Sequence, residues 1–205
     1  MKIIKPSFEI LTNINGDELL KRIERIGRVC YKSEDRITVD SAEKFVKSII
    51  GRGHESVIEH ESLSVKFIFD RGVSHEAVRH RLASFSQEST RFCCYANNKF
   101  GNELTFIEPI FWTKDETANT DLLKYNIWLD AMAYLEQKYL LLIELGAKPE
   151  EARSILPNSL KTELVITANL REWRHILKLR ASPKAHPQMR EIMIPLLDML
   201  KLEIP

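Results

Sequence analysis

The 205-residue chain lacks several things that would narrow its chemistry at once. It has three cysteines, Cys30, Cys93 and Cys94. An odd number with two adjacent does not make a disulfide framework, so a reducing compartment is expected. Glycine is scarce, with seven in all, and neither G-x-G-x-x-G nor G-x-x-x-x-G-K-[ST] occurs. The single G-x-G, Gly51-Arg52-Gly53, follows a helical pattern, which is the wrong context for a dinucleotide loop. A phosphate-bearing ligand must then be held by side chains, arginine foremost. No apolar run approaches the ~18 residues of a membrane span. The opening MKIIKPSFEI has no apolar stretch leading to a small-residue cleavage site. Charge of one sign is also missing: 30 basic against 29 acidic residues leave +1, which argues against a global grip on nucleic acid or anionic lipid. The expectation is a soluble cytoplasmic protein with no nucleic-acid and no membrane partner.

What is present is ordinary globular composition, 44% hydrophobic and 29% charged, without repeats or a Gly/Ser linker. Residues 1–205 are expected to form a single α+β domain. Lys2 to Ile10 reads as a strand, and Leu19, Leu20, Ile23, Ile26 and Cys30 follow helical spacing. Asp40 with Glu43 resembles a capping box ahead of a helix stopped at Gly51. Leu63, Val65, Phe67 and Phe69 alternate as in a half-buried strand, and Ser74 is placed to cap a short helix behind it. Ser84 to Arg91 reads as a loop, and Leu104 to Phe111 as an edge strand. Thr117 to Leu145 carries the longest helical pattern, ended by Gly146. A short helix opens at Pro149, and a strand covers Thr162 to Ala168. Asn169 and Glu172 form a second capping pair, and a last helix runs from about Gln188 to Lys201.

Six histidines invite a metal reading, and their spacing argues against it. His75 and His80 stand five apart, roughly 140° around a helix, so they do not chelate from one face. His54 and His60 are six apart, and an inverted zinc-protease pattern needs a histidine at Ser56. Cys93-Cys94 lacks the spacer of a zinc knuckle. No metal is expected. Trp173 and Leu177 read as core, Cys93 and Cys94 as packing residues, and Arg52 and Lys99 as surface charge. His60 and His186 are balanced between a role in the site and buried hydrogen bonds.

The informative segment is Arg79-His80-Arg81, then Gln87, Glu88, Ser89, Thr90 and Arg91. On a regular helix Arg79, His80 and Arg81 would fan across roughly 200°. One small ligand does not collect all three, so either the helix ends there or they face different ligands or chains. The pattern R-H-R, seven residues, S-x-R resembles the signature of flavin-dependent thymidylate synthases. Gly53-His54-Glu55-Ser56-Val57-Ile58-Glu59-His60 is similar to that family's G-H-x-[ST]-x-x-E-H segment. Ala152-Arg153 through Leu156-Pro157 resembles its A-R-x-x-L-P helix. Asn169, Arg171, His175 and Arg180 match its N-x-R-x-x-x-[HN]-x-x-x-x-R run, and Ala185 to Ile192 adds a further likeness. Together the segments cover about Gly51 to Ile192.

The resemblance implies an α+β fold with a mostly antiparallel sheet packed against helices, assembled as a homotetramer with active sites between subunits. It implies dTMP formation from dUMP, with 5,10-methylenetetrahydrofolate as carbon donor and NADPH-reduced FAD as hydride donor, and without a cysteine nucleophile. Carried over by position, Ser56, Glu59, Arg79, His80, Arg81, Asn169, Arg171 and His175 would bind FAD. Glu76, Arg79, Gln87, Glu88, Ser89, Thr90, Arg91, Arg153 and Arg180 would bind dUMP. Arg180 and His54 would be catalytic, Arg180 by favouring negative charge on the uracil ring so that C5 becomes nucleophilic. Gln87 stands where some members have glutamate, and Glu76 where some have glutamine. A nucleic-acid-binding reading of the same arginines predicts steep salt dependence and is disfavoured by the balanced charge.

Overall fold

The computed structural model describes residues 1–112 and 119–204. The strands are β1 (Lys2–Ile4), β2 (Ser7–Ile10), β3 (Ser62–Asp70), β4 (Ala83–Gln87), β5 (Thr105–Ile107) and β6 (Lys161–Asn169). The helices are α1 (Gly16–Val29), α2 (Ser41–Gly51), α3 (Arg71–Ala77), α4 (Asn119–Glu144), α5 (Pro149–Ala152), α6 (Leu170–Arg180) and α7 (Pro187–Glu203). Four strands form one sheet in the order β2-β3-β6-β4. Its central pair is antiparallel: Leu170 N donates to Glu61 O at one end, and Arg71 N donates to Leu160 O at the other. The class is therefore α+β, as expected. A second sheet was not expected. Pro6, which has no N–H to donate, separates β1 from β2, and β1 pairs in parallel with β5, Ile3 opposite Phe106. Among the described residues no helix is long and apolar enough to cross a membrane.

By contact the chain divides into two compact units, interleaved in sequence. The first comprises Met1–Ser7, Phe67–Arg79 and Ser86–Leu164; the second comprises Phe8–Lys66, His80–Phe85 and Val165–Pro205.

In the first unit, one face of α4 supplies Tyr125, Trp128, Met132 and Tyr139 to a core completed by Tyr95, Leu104, Phe106, Ala152 and Leu160. The polar atoms of these aromatic side chains are matched: Trp128 Nε1 donates to Ser159 Oγ at 3.1 Å, and Tyr139 Oη accepts from Tyr95 N at 3.3 Å. Gly146 ends the α4 region at φ +93°, as its position predicts, whereas the expected helix start at Thr117 lies outside the described residues. The cap of α3 is Asp70, whose Oδ1 accepts from Val73 N at 2.7 Å. Ser74, expected there, lies inside the helix, and its hydroxyl donates back to Arg71 O.

The second unit packs α1 on α2 and α6 on α7. Trp173 is core, as expected, with Nε1 donating to Leu63 O at 3.0 Å. A charged pair lies under α1: Arg28 donates twice to Glu24 Oε1, at 2.8 and 2.6 Å, and the Ser41 hydroxyl donates to Glu24 Oε2. The Arg28 guanidinium sits 4.6 Å over the Phe45 ring. Asp40 makes no cap hydrogen bond, because its backbone (φ −110°, ψ 11°) lacks the extended geometry that aims a capping oxygen at the first turn. Gly27 allows the close approach of Phe45: a Cβ there would lie 2.8 Å from the ring. Gly27→Ala is expected to destabilise the protein by about 1–3 kcal/mol through overpacking, outweighing the ~1 kcal/mol gain in helix propensity. Urea denaturation of the variant checks the sign.

Candidate active site

In the second unit the site grows from the end of β6. Asn169 has extended backbone, and its Oδ1 accepts from Glu172 N at 2.9 Å, so the residue read as a flavin contact is also the cap that starts α6. Arg171, Glu172 and His175 then occupy the first turns of that helix, and Arg180 is its last residue. The helix α3 ends at Ala77, so Arg79, His80 and Arg81 do not share a helix. The turn leading into β4 buries His80 while leaving Arg79 and Arg81 exposed.

His80 is 6% exposed, and its Nε2 accepts from Arg180 Nε at 3.0 Å. An Nε2 that accepts places the ring proton on Nδ1, which lies 3.5 Å from Glu172 Oε1. The His175 ring stands edge-on at 5.8 Å. Burial, then the Arg180 charge, then His175 push the His80 pKa down to about 4, so the imidazole is neutral at pH 7. The ligand atoms of His80, Glu172 and His175 all lie within 4.8 Å of one another, a grouping that spacing alone did not suggest. With Nε2 hydrogen-bonded to a guanidinium and the protonated Nδ1 facing a carboxylate at 3.5 Å, this is a polar chain of guanidinium, imidazole and carboxylate. A cation would have to displace a proton beside a fixed positive charge.

Beside this chain opens a cleft of about 880 Å³, bordered by Glu59, Asn169, Arg171, Glu172, Arg174 and His175 among others. That size suits a small-molecule or cofactor site. Arg171 pairs with Glu59 and, at 3.6 Å, with Glu55, while Arg174 pairs with Glu55 at 3.1 Å. Glu59, read as a flavin contact, thus holds Arg171. These pairs are largely exposed and screened by water, so they contribute little and an incoming anion can displace the carboxylates. His54 and Ser56 are exposed on the turn that carries Glu55 and Glu59.

β4 takes up half of the segment read as a loop, Ser84 to Gln87, with side chains alternating from Ala83 to Gln87; the residues from Ser86 onward belong to the first unit. Gln87 Nε2 donates to Ser74 Oγ and Thr162 Oγ1 at 2.9 and 3.2 Å. The Glu88 carboxylate accepts from Tyr95 Oη, Lys161 Nζ and Glu163 N. Burial and Glu88 push the Tyr95 phenol above its ordinary range. Both side chains are committed to anchoring the turn that follows. Within it, Ser89 O accepts from Phe92 N and Cys93 N, and Thr90 is buried. Arg91 is exposed and paired with Glu150 at 3.0 Å. Arg153 is exposed on the turn behind α5, and Glu76 is half-buried in α3.

The chemistry divides between the units. His54, Ser56, Glu59, His80, Arg81, Asn169, Arg171, His175 and Arg180 lie in the second; Glu76, Arg79, Gln87, Glu88, Ser89, Thr90, Arg91 and Arg153 lie in the first. His60 and His186 are exposed, which removes the buried alternative for both. Cys93 packs against the first unit's core. Glu172 was missed because the sequence reads it only as a cap partner; the available signal was an acid on the apolar side of α6, four residues before Ile176.

The pKa of His80 predicts an acid-sensitive fold. Between pH 6.5 and about 4 the unfolded chain binds a proton that the folded chain does not. The stability from this site is full above pH 6.5 and lost as pH falls toward 4. Urea midpoints at the two ends should show a smaller loss in His80→Asn than in the wild type. Equal losses would mean that His80 titrates normally.

Residues 11–205 match the family model described as thymidylate synthase complementing protein. The chain is 34% identical over 167 residues to the flavin-dependent thymidylate synthase of Pyrococcus furiosus, covering 81% of this chain and 65% of that one. It is 32% identical to the enzyme of that name from Corynebacterium efficiens, covering 95% and 79%. Against the Pyrococcus furiosus and Pyrococcus abyssi proteins the chain spans just under two thirds of their length. Its fold is similar to that of PolB, a UMP/dUMP methylase from Streptomyces cacaoi bound with 5-Br UMP. That match has a TM-score of 0.78 and 18% identity, and covers 100% of this chain and 93% of the other. The chain belongs to the flavin-dependent thymidylate synthase family.

Proposed function

We propose that the chain acts as a single flavin-dependent thymidylate synthase domain, converting dUMP to dTMP in the cytoplasm as a homotetramer. The observation that carries this reading is the chain Glu172–His80–Arg180 beside a cleft edged by displaceable arginine pairs. Such a cleft fits an anionic, ring-bearing cofactor: the His175 ring at its border offers a flat contact, and Arg171 offers charge. FAD is held by Ser56, Glu59, Arg79, His80, Arg81, Asn169, Arg171 and His175. When bound and reduced by NADPH it supplies the hydride, and 5,10-methylenetetrahydrofolate supplies the carbon.

The protein's own part is positioning and polarisation. Arg91 and Arg153 bind the dUMP phosphate through their forked donors, with Ser89 and Thr90 from the turn and Arg79 beside them. Glu76, Gln87 and Glu88 shape the nucleotide side, Gln87 and Glu88 chiefly by fixing the turn. Arg180, oriented by His80, stabilises negative charge on the uracil ring and so makes C5 nucleophilic without a thiolate. His54, exposed at the edge of the turn, handles folate or flavin.

A visible spectrum tests the whole reading. The purified protein should show a flavin band that bleaches with NADPH under anaerobic conditions. Adding dUMP and methylenetetrahydrofolate should restore the band and yield dTMP. Arg180→Ala should keep the flavin band while kcat falls by about 100- to 1,000-fold. Unchanged turnover would remove Arg180 from the chemistry.

A further inference from the structure

The longest helix, α4, has a second apolar face. Leu123, Ile127, Tyr134, Leu141 and the adjoining Leu145 are 60, 61, 59, 41 and 75% exposed. At about 100° per residue these five fall within a sector of roughly 40°, opposite the side that buries Trp128, Met132 and Tyr139. They mark a seam roughly 33 Å long at 1.5 Å per residue. Isolated exposed apolar residues are ordinary, whereas five aligned along one line of a helix, broken only by Asp130 and Lys138, mark an interaction surface.

The stripe is symmetric about Tyr134. Going outward in both directions, positions 130 and 138 are Asp and Lys, 127 and 141 are Ile and Leu, and 123 and 145 are Leu and Leu. An identical helix laid antiparallel across it, Tyr134 against Tyr134, sets Ile127 opposite Leu141 and Leu123 opposite Leu145. It also sets Asp130 opposite Lys138 twice, once on each side of the axis. A parallel partner in register would oppose Asp130 to Asp130 and Lys138 to Lys138. Among the described residues Asp130 has no ion-pair partner within its own chain, and the Lys138 ammonium lies 4.9 Å over the Tyr134 ring, on the seam itself. Self-complementarity about one point is what a two-fold interface requires, since the same patch must serve both subunits.

We infer that α4 is the seam between two copies of this chain, packed antiparallel about a two-fold axis at Tyr134. The inference rests on the α4 surface and not on the proposed reaction, and its test reads mass rather than turnover. Sedimentation of the full-length chain should show an assembly whose mass is halved by Ile127→Glu with Leu141→Glu, with circular dichroism unchanged because both sites are exposed. Asp130→Lys alone, which opposes lysine to lysine, should weaken the assembly at least tenfold in dissociation constant. Adding Lys138→Asp should restore it, since the pair is then only reversed. Tyr134→Cys in a Cys30→Ser background should give a disulfide-linked dimer on mild oxidation. A wild-type monomer at micromolar concentration, an assembly indifferent to Ile127→Glu with Leu141→Glu, or no rescue by the double charge swap would each overturn the proposal.

Discussion

A neutral imidazole held between a carboxylate and a guanidinium is the contact on which the rest of the candidate site depends. His80 is buried, and a buried imidazole is stable only with both ring nitrogens satisfied. Arg180 supplies a donor to one, and the Glu172 carboxylate faces the other. The two partners lie eight residues apart on α6, about two turns and roughly 12 Å along the axis, so one straight helix brackets the ring. That helix starts where it does because Asn169 caps it at the end of β6. Shifting the cap by one residue would rotate Glu172 and Arg180 away from His80 together by about 100°. The strand end, the cap and the site therefore form one geometric unit.

Around this fixed centre the charged groups are held loosely. Arg171 and Arg174 pair with Glu55 and Glu59 in water, where such pairs contribute little. Arg91 pairs with Glu150 in the same way. A site for anionic ligands gains from that arrangement, because a phosphate replaces an exposed carboxylate at small cost while the buried chain remains in place. The contrast between Glu88 and Arg91, three residues apart, makes the same point within the first unit. Glu88 is tied to Tyr95, Lys161 and the backbone and anchors the turn, whereas Arg91 projects from it.

Neighbours in sequence can hold different offices. Arg79 and His80 are consecutive, yet they belong to different compact units, the first exposed and the second buried. The difficulty of gathering Arg79, His80 and Arg81 on one ligand from a helix is resolved by the end of α3 at Ala77. The helix α4 shows a related doubling on a larger scale. Its apolar residues go all the way round, so its long pattern is legible as helix while the partner of each face is not.

The sequence by itself determined the α+β class, the alternating strands β3 and β6, the cap at Asn169, the core role of Trp173 and the family, because periodicity, capping residues and spaced motifs are local signals. It also marked the arginines and His80 as chemistry-bearing. Tertiary structure alone decided that Pro6 splits the first strand so that β1 pairs in parallel with β5. It decided that Asp70 and not Ser74 caps α3, and that Ser84 to Gln87 is strand and not loop. It also decided that Glu172, 92 positions from His80, faces the protonated nitrogen of that imidazole. Each of these turns on which segments meet in space, and on the burial and partners that follow; a motif names a residue but carries neither its neighbour nor its solvent.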